Sequence, residues 1–198
     1  MILQRRIAPS TRRHFAAAAI GALAGAAAGM GLGLQPAGTI AGAVLGGAMA
    51  AIALEDALRF RVPDRWVMLA IFAGLAWAAA SGSAGGAAAL AALARALLGA
   101  VLCGGAFLLL REGFYRLRGV DGLGLGDVKL AAAGGIWLGW EFFAVAVLAA
   151  AAAALAVVVV RVLSAGNWRR EQRLAFGAFL APAIWCAWLV QQGGVSGA

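Results

Sequence analysis

The sequence predicts an all-α fold, a polytopic integral membrane helical bundle of about seven transmembrane helices. Three observations carry that prediction. Of 198 residues, 64% are hydrophobic and only 12% are charged, about half the charged share of an ordinary soluble domain. Mean hydropathy is +0.93. The apolar residues are gathered into seven long runs, and the basic residues fall in short clusters between them. A soluble globular enzyme is excluded.

The runs span residues 15–34, 37–54, 66–80, 87–110, 127–140, 142–160 and 174–190. A hydrocarbon core takes about 20 helical residues, with about 17 tolerated, so the short third and fifth runs borrow flanking residues. In the first run Gly21, Gly25, Gly29 and Gly33 recur every fourth residue, followed by Gly38, Gly42 and Gly46. Such a strip of small residues lets two helices approach closely. The run follows Arg5, Arg6, Arg12 and Arg13, and Thr11-Arg12-Arg13-His14-Phe15 resembles a twin-arginine signal. Because the apolar run continues to Leu34 and further runs follow, a retained first span is expected. His14 reads as a solvated or headgroup-level side chain with no partner.

Arg59, Arg61 and Arg65 lie between the second and third runs. Arg111, Arg116, Arg118 and Lys129 flank the loop before the fifth, and Arg161, Arg169, Arg170 and Arg173 follow the sixth. Apart from Lys129 at the start of the fifth run, only Arg95 lies inside a run, where it can pair with a carboxylate in the bundle or snorkel outward. The intervening loops carry no Lys or Arg, so the positive-inside rule puts the N-terminus in the cytoplasm and the C-terminus outside. The expected organisation is a basic cytoplasmic segment over 1–14, one membrane-embedded domain over 15–190, and a short non-cytoplasmic tail over 191–198.

The formal charge of +8 raises nucleic acid as a partner, but no basic face with interleaved aromatics accompanies it. The lipid bilayer is the expected partner and nucleic acid is not. Cys103 and Cys186 sit in apolar runs as packing residues, without the spacing of a disulfide framework or a metal site. No cofactor and no metal are expected. Trp66, Trp137, Trp140 and Trp168 fall near run ends, as interfacial tryptophans do.

Of eight acidic residues, Glu112, Glu141 and Glu171 read as solvated. Glu55, Asp56, Asp64, Asp121 and Asp127 gather at two boundaries on the basic side. At the first, Asp56 ends an apolar run and Pro63 forces a turn and starts the next helix. At the second, Gly122-Leu-Gly124-Leu-Gly126-Asp127-Val-Lys129-Leu130 leads into an apolar run. A phosphate loop would need Gly-Lys followed by Ser or Thr, whereas Asp127 follows Gly126. Glycines allow another chain to approach the backbone closely, which suits a peptide substrate. Two carboxyls brought within a few ångströms share a proton. The ionised one takes a proton from water and the protonated one polarises a scissile carbonyl. The same acids also fit interfacial charges balancing arginines, or a small transporter that binds a proton or cation.

Gly124-Leu-Gly126-Asp127-Val-Lys129-Leu130 resembles the GxGD signature of the type IV prepilin peptidases. Asp56, seven residues before Pro63-Asp64, resembles that family's first catalytic aspartate and its proline turn. Ala175-Phe176-Gly177-Ala178-Phe179-Leu180-Ala181-Pro182 resembles its Phe-Gly stretch. The resemblance implies a bacterial inner-membrane aspartic endopeptidase that removes the basic leader of prepilins or pseudopilins at the cytoplasmic face. It implies Asp56 and Asp127 as the catalytic pair, with Gly124, Gly126, Pro63 and Asp64 shaping their loops. Lys129 falls in the motif without an assigned chemical role. Long members carry a cysteine-containing loop associated with methyl transfer; here Gln35 and Pro36 alone separate the first two runs and no paired-cysteine motif occurs. The chain resembles the short, peptidase-only form, with preflagellin-type GxGD proteases as the nearest alternative.

Overall fold

Apolar runs rich in alanine and leucine can satisfy their backbone groups in lipid only as helices or closed barrels, and this chain forms helices. The computed structural model describes residues 9–82, 85–119, 123–165 and 174–196. Arg5, Arg6, Asp121, Gly122, Trp168, Arg169, Arg170, Glu171, Arg173 and the last two residues of the tail lie outside the described residues.

Six helices account for the seven apolar runs. They are α1 (Pro9–Gly31), α2 (Pro36–Arg59), α3 (Asp64–Ser81), α4 (Gly86–Arg118), α5 (Leu125–Ala165) and α6 (Gly177–Ser196). The fifth and sixth runs are the two arms of α5, joined at a kink where Gly139 takes φ 70° and ψ 174°, a backbone conformation closed to side-chain-bearing residues. Among the described residues the all-helical fold stands, and the seven runs fold as six helices. Four of them, α1, α2, α4 and α5, are long and apolar enough to cross a membrane.

Helices α2, α3, α5 and α6 close a central ring, with α1 packed on α2 and α4 on α3 and α5. Leu45, Met49, Ile52, Val67, Leu130, Leu180, Ile184 and Trp188 are fully buried inside it. Trp188 meets Trp77 and Trp137 edge-on, with ring centroids 6.0 and 5.7 Å away. Trp137 is not the interfacial residue its position near a run end suggested. It is 5% exposed, and its indole N–H donates to the Ala70 carbonyl at 2.8 Å. Leucines and valines turn outward, among them Leu109 of α4 and Leu148 and Leu163 of α5, as lipid-facing surfaces do.

The glycine strip packs where it lies within the helices, while Gly33 falls beyond the end of α1 and a methyl there would meet nothing within 4 Å. A methyl on Gly21 would collide with the backbone of Gly46, and one on Gly25 with that of Gly42, so α1 and α2 touch backbone to backbone. Gly99 of α4 and Gly135 of α5 make the same contact. Arg95 forms no ion pair with a carboxylate among the described residues and lines a cleft of about 270 Å³ with Gln191 and Gly139. Cys103 is buried as expected; Cys186 is exposed rather than packed, because it lies on the outward face of α6.

Candidate active site

The site is assembled from one end of three helices. Asp56 lies in the last turn of α2 and is 6% exposed. That helix ends because Phe60 adopts left-handed geometry, φ 54° and ψ 40°, which returns its N–H to the Asp56 carbonyl at 2.8 Å. Pro63 then takes an extended conformation, φ −77° and ψ 122°, and caps α3. Its ring disfavours helix at the preceding residue, so α2 and α3 are separated by a sharp turn over 60–63. Asp64 opens α3, where a negative charge meets the positive end of the helix.

Asp127 lies in the first turn of α5 and donates its N–H to the Gly124 carbonyl at 3.1 Å. The two glycines of this segment do different work. A methyl on Gly126 would stand 2.7 Å from Val62 Cβ and 3.0 Å from its Cγ2, so glycine is what allows α5 to start against the α2–α3 turn. A methyl on Gly124 would make only ordinary contacts, 3.5 Å from Asp127 Oδ2 and 3.8 Å from the Gly126 N. Lys129 Nζ pairs with Asp64 Oδ1 at 2.7 Å across the two segments.

The third end is the start of α6. The Ala178 N–H donates to Asp56 Oδ2 at 2.9 Å. A methyl placed on Gly177 would sit 2.9 Å from Asp56 Oδ2 and 3.1 Å from Asp127 Oδ1. The two carboxylate oxygens therefore lie no further apart than those two distances taken together.

Two clefts meet at this pair. One, of about 560 Å³, is lined by all seven residues singled out from the sequence, Asp56, Pro63, Asp64, Gly124, Gly126, Asp127 and Lys129, together with Glu55 and Arg61. The other, of about 440 Å³, is lined by both aspartates, Arg111, Leu123, Leu174 and Phe176. A chain laid through both would cross the carboxylates. Among the described residues no group of three or more His, Cys, Asp or Glu could hold a metal ion.

Residues 43–159 match the type IV leader peptidase family. This chain belongs to that family. Among its relatives, leader peptidase HopD of Escherichia coli is 37% identical over 130 residues, 66% of this chain and 79% of that protein. A prepilin leader peptidase/N-methyltransferase of Burkholderia pseudomallei is 46% identical over 68 residues, 34% of this chain and 22% of that protein. The enzyme of the same title from Aeromonas hydrophila is 28% identical over 152 residues, 77% of this chain, which spans half of its length. No solved structure matches the chain.

Two features of this candidate site were not placed in it from sequence. Gly177 and Ala178 fall beyond the family match, and only the Phe-Gly stretch pointed toward them. His14 is not the solvated side chain expected. It is 3% exposed and its Nε2 pairs with Glu55 Oε2. Nothing near His14 in the sequence announces that partner.

Proposed function

We propose that Asp56 and Asp127 are the catalytic pair of a membrane aspartic endopeptidase that removes the leader of type IV prepilins or pseudopilins at the cytoplasmic face of the bacterial inner membrane. The observation that carries this reading is the convergence of both carboxylates on Gly177 where the two clefts meet.

In this reading the scissile peptide lies across the pair with a water between the carboxyls. Two carboxyls this close share one proton. The ionised carboxylate takes a proton from the water as its oxygen bonds to the scissile carbon, and the protonated carboxyl donates to the carbonyl oxygen. As the tetrahedral intermediate collapses, the carbon–nitrogen bond breaks and a proton passes from the pair to the leaving amine. The two hydrolysis products are a carboxylate and a new N-terminus.

Topology supports the cytoplasmic face. Arg61 and Lys129 line one cleft and Arg111 the other, so the carboxylates lie at the arginine-rich end of the bundle, which the positive-inside rule assigns to the cytoplasm. A proton- or cation-coupled transporter would carry its acids nearer the membrane midplane, whereas these sit at helix ends. The sequence holds no paired-cysteine motif, and the reading extends to peptidase activity alone.

The test is incubation of the full-length protein, in membranes, with a panel of type IV prepilins and pseudopilins, followed by mass spectrometry. Shortening of at least one at its leader junction is expected. Intact substrates throughout, with folded enzyme present, would overturn the reading.

A further inference from the structure

His14 and Glu55 are buried polar residues on different helices, 3% and 8% exposed. His14 Nε2 of α1 holds Glu55 Oε2. Arg59 NH1, one turn along α2, donates to the other oxygen, Oε1, at 3.2 Å. Glu55 thus has a basic side chain at each oxygen, a hydrogen bond at Oε1 and a close contact without hydrogen-bond geometry at Oε2 across the helix–helix interface.

Glu55 precedes Asp56, and the two share the last turn of α2. In a helix, adjacent residues are locked at a fixed angle about the axis, so whatever fixes Glu55 fixes the direction in which Asp56 points. That direction is demanding, because Asp56 must accept the Ala178 N–H at 2.9 Å and face Asp127 across Gly177. Helix packing alone does not require the pair. Gly21 and Gly25 already join α1 to α2 further along, and apolar side chains at 14 and 55 would join them without desolvating two ionisable groups. What a buried pair of fixed geometry adds is orientation. Glu55 also lines the first cleft, so without its partners a buried carboxylate would stand unmatched beside the reacting pair.

We infer that His14 is a positioning residue of the peptidase site: through Glu55 it fixes the last turn of α2 and so the aim of Asp56. His14 lies upstream of residues 43–159, the stretch that matches the family, so α1 serves the site from outside that stretch. The inference rests on the proposed role of Asp56. Phe15 provides an internal control. Its ring packs edge-on against Trp66 of α3 at 6.1 Å, so it ties the same turn of α1 to α3 rather than to α2.

The test measures kcat, KM and melting temperature for the full chain in detergent micelles, with a prepilin it cleaves. His14→Ala is expected to lower kcat roughly tenfold or more, as a slightly misplaced catalytic group does, with KM within about twofold. His14→Gln, which keeps a donor, is expected to recover most of the loss. Glu55→Gln is expected to behave like His14→Ala, and the double variant to be no worse than the more impaired single one, because both break one link. Phe15→Ala is expected to lower the melting temperature with kcat within about twofold of native. The inference is overturned if His14→Ala keeps native kcat, if His14→Gln is no better than His14→Ala, or if Phe15→Ala loses kcat in step with His14→Ala. Full cleavage by Asp56→Ala would instead overturn the catalytic reading, independently of His14.

Discussion

The Ala178 N–H donates to Asp56 Oδ2 at 2.9 Å, from the first turn of one helix to the last turn of another. Orphan N–H groups at a helix start carry partial positive charge, so the start of α6 is a fitting seat for a carboxylate. With Asp127 in the first turn of α5, the pair is held entirely by helix ends.

Gly177 lies between those carboxyls. A methyl there would be 2.9 Å from Asp56 Oδ2 and 3.1 Å from Asp127 Oδ1, so Gly177→Ala must displace one or both. Initial cleavage rates are expected to fall roughly a hundredfold, the scale of a 1 Å misplacement, while the melting temperature changes little.

The two motif glycines should separate experimentally. Gly126→Ala drives a methyl to 2.7 Å from Val62 Cβ, and overpacking of this kind costs about 1–3 kcal/mol. Gly124→Ala meets only ordinary contacts, the nearer at 3.5 Å. Chemical denaturation of both variants in micelles should show a loss for Gly126→Ala several times that for Gly124→Ala, with cleavage following the same order.

Lys129 and Asp64 form the most visible ion pair near the site, yet their side chains are 52% and 68% exposed. Exposed pairs contribute about 0–1 kcal/mol. A double-mutant cycle with Lys129→Ala and Asp64→Ala should therefore return a coupling below about 1 kcal/mol, and cleavage by Lys129→Ala should persist.

Close backbone contact between α4 and α5 rests on Gly99 and Gly135. Gly135→Val should force the helices apart, costing about 1–3 kcal/mol by overpacking. A lowered denaturation midpoint for Gly135→Val, beside an unchanged one for Gly105→Ala, whose methyl would meet nothing within 4 Å, would bear this out.

What could be read from sequence followed from local patterns. A four-residue glycine period foretold the contacts of Gly21 and Gly25, and a proline after a run of charge foretold the α2–α3 turn. The break between the fifth and sixth runs was legible, but whether a break ends a helix or bends it, as Gly139 does here, depends on what packs on either side. Trp137 was misread because nearness to a run end suggests an interface, while the Ala70 carbonyl that holds its N–H lies far away in sequence. His14 was misread for the same reason, since its partner Glu55 is on another helix and no period links them. Gly177 showed only as part of a motif, because its closeness to both aspartates arises from the docking of α6 against α2 and α5.

The central claim is that Asp56 and Asp127 act as one pair. Its most direct test is the rate of prepilin cleavage by Asp56→Asn and Asp127→Asn, made separately and compared with native enzyme at equal amounts of folded protein. Each variant should lose roughly a thousandfold or more, within the range for removing an acid or base, and the double variant should lose no more than either alone. Cleavage near the native rate by either single variant would contradict the account.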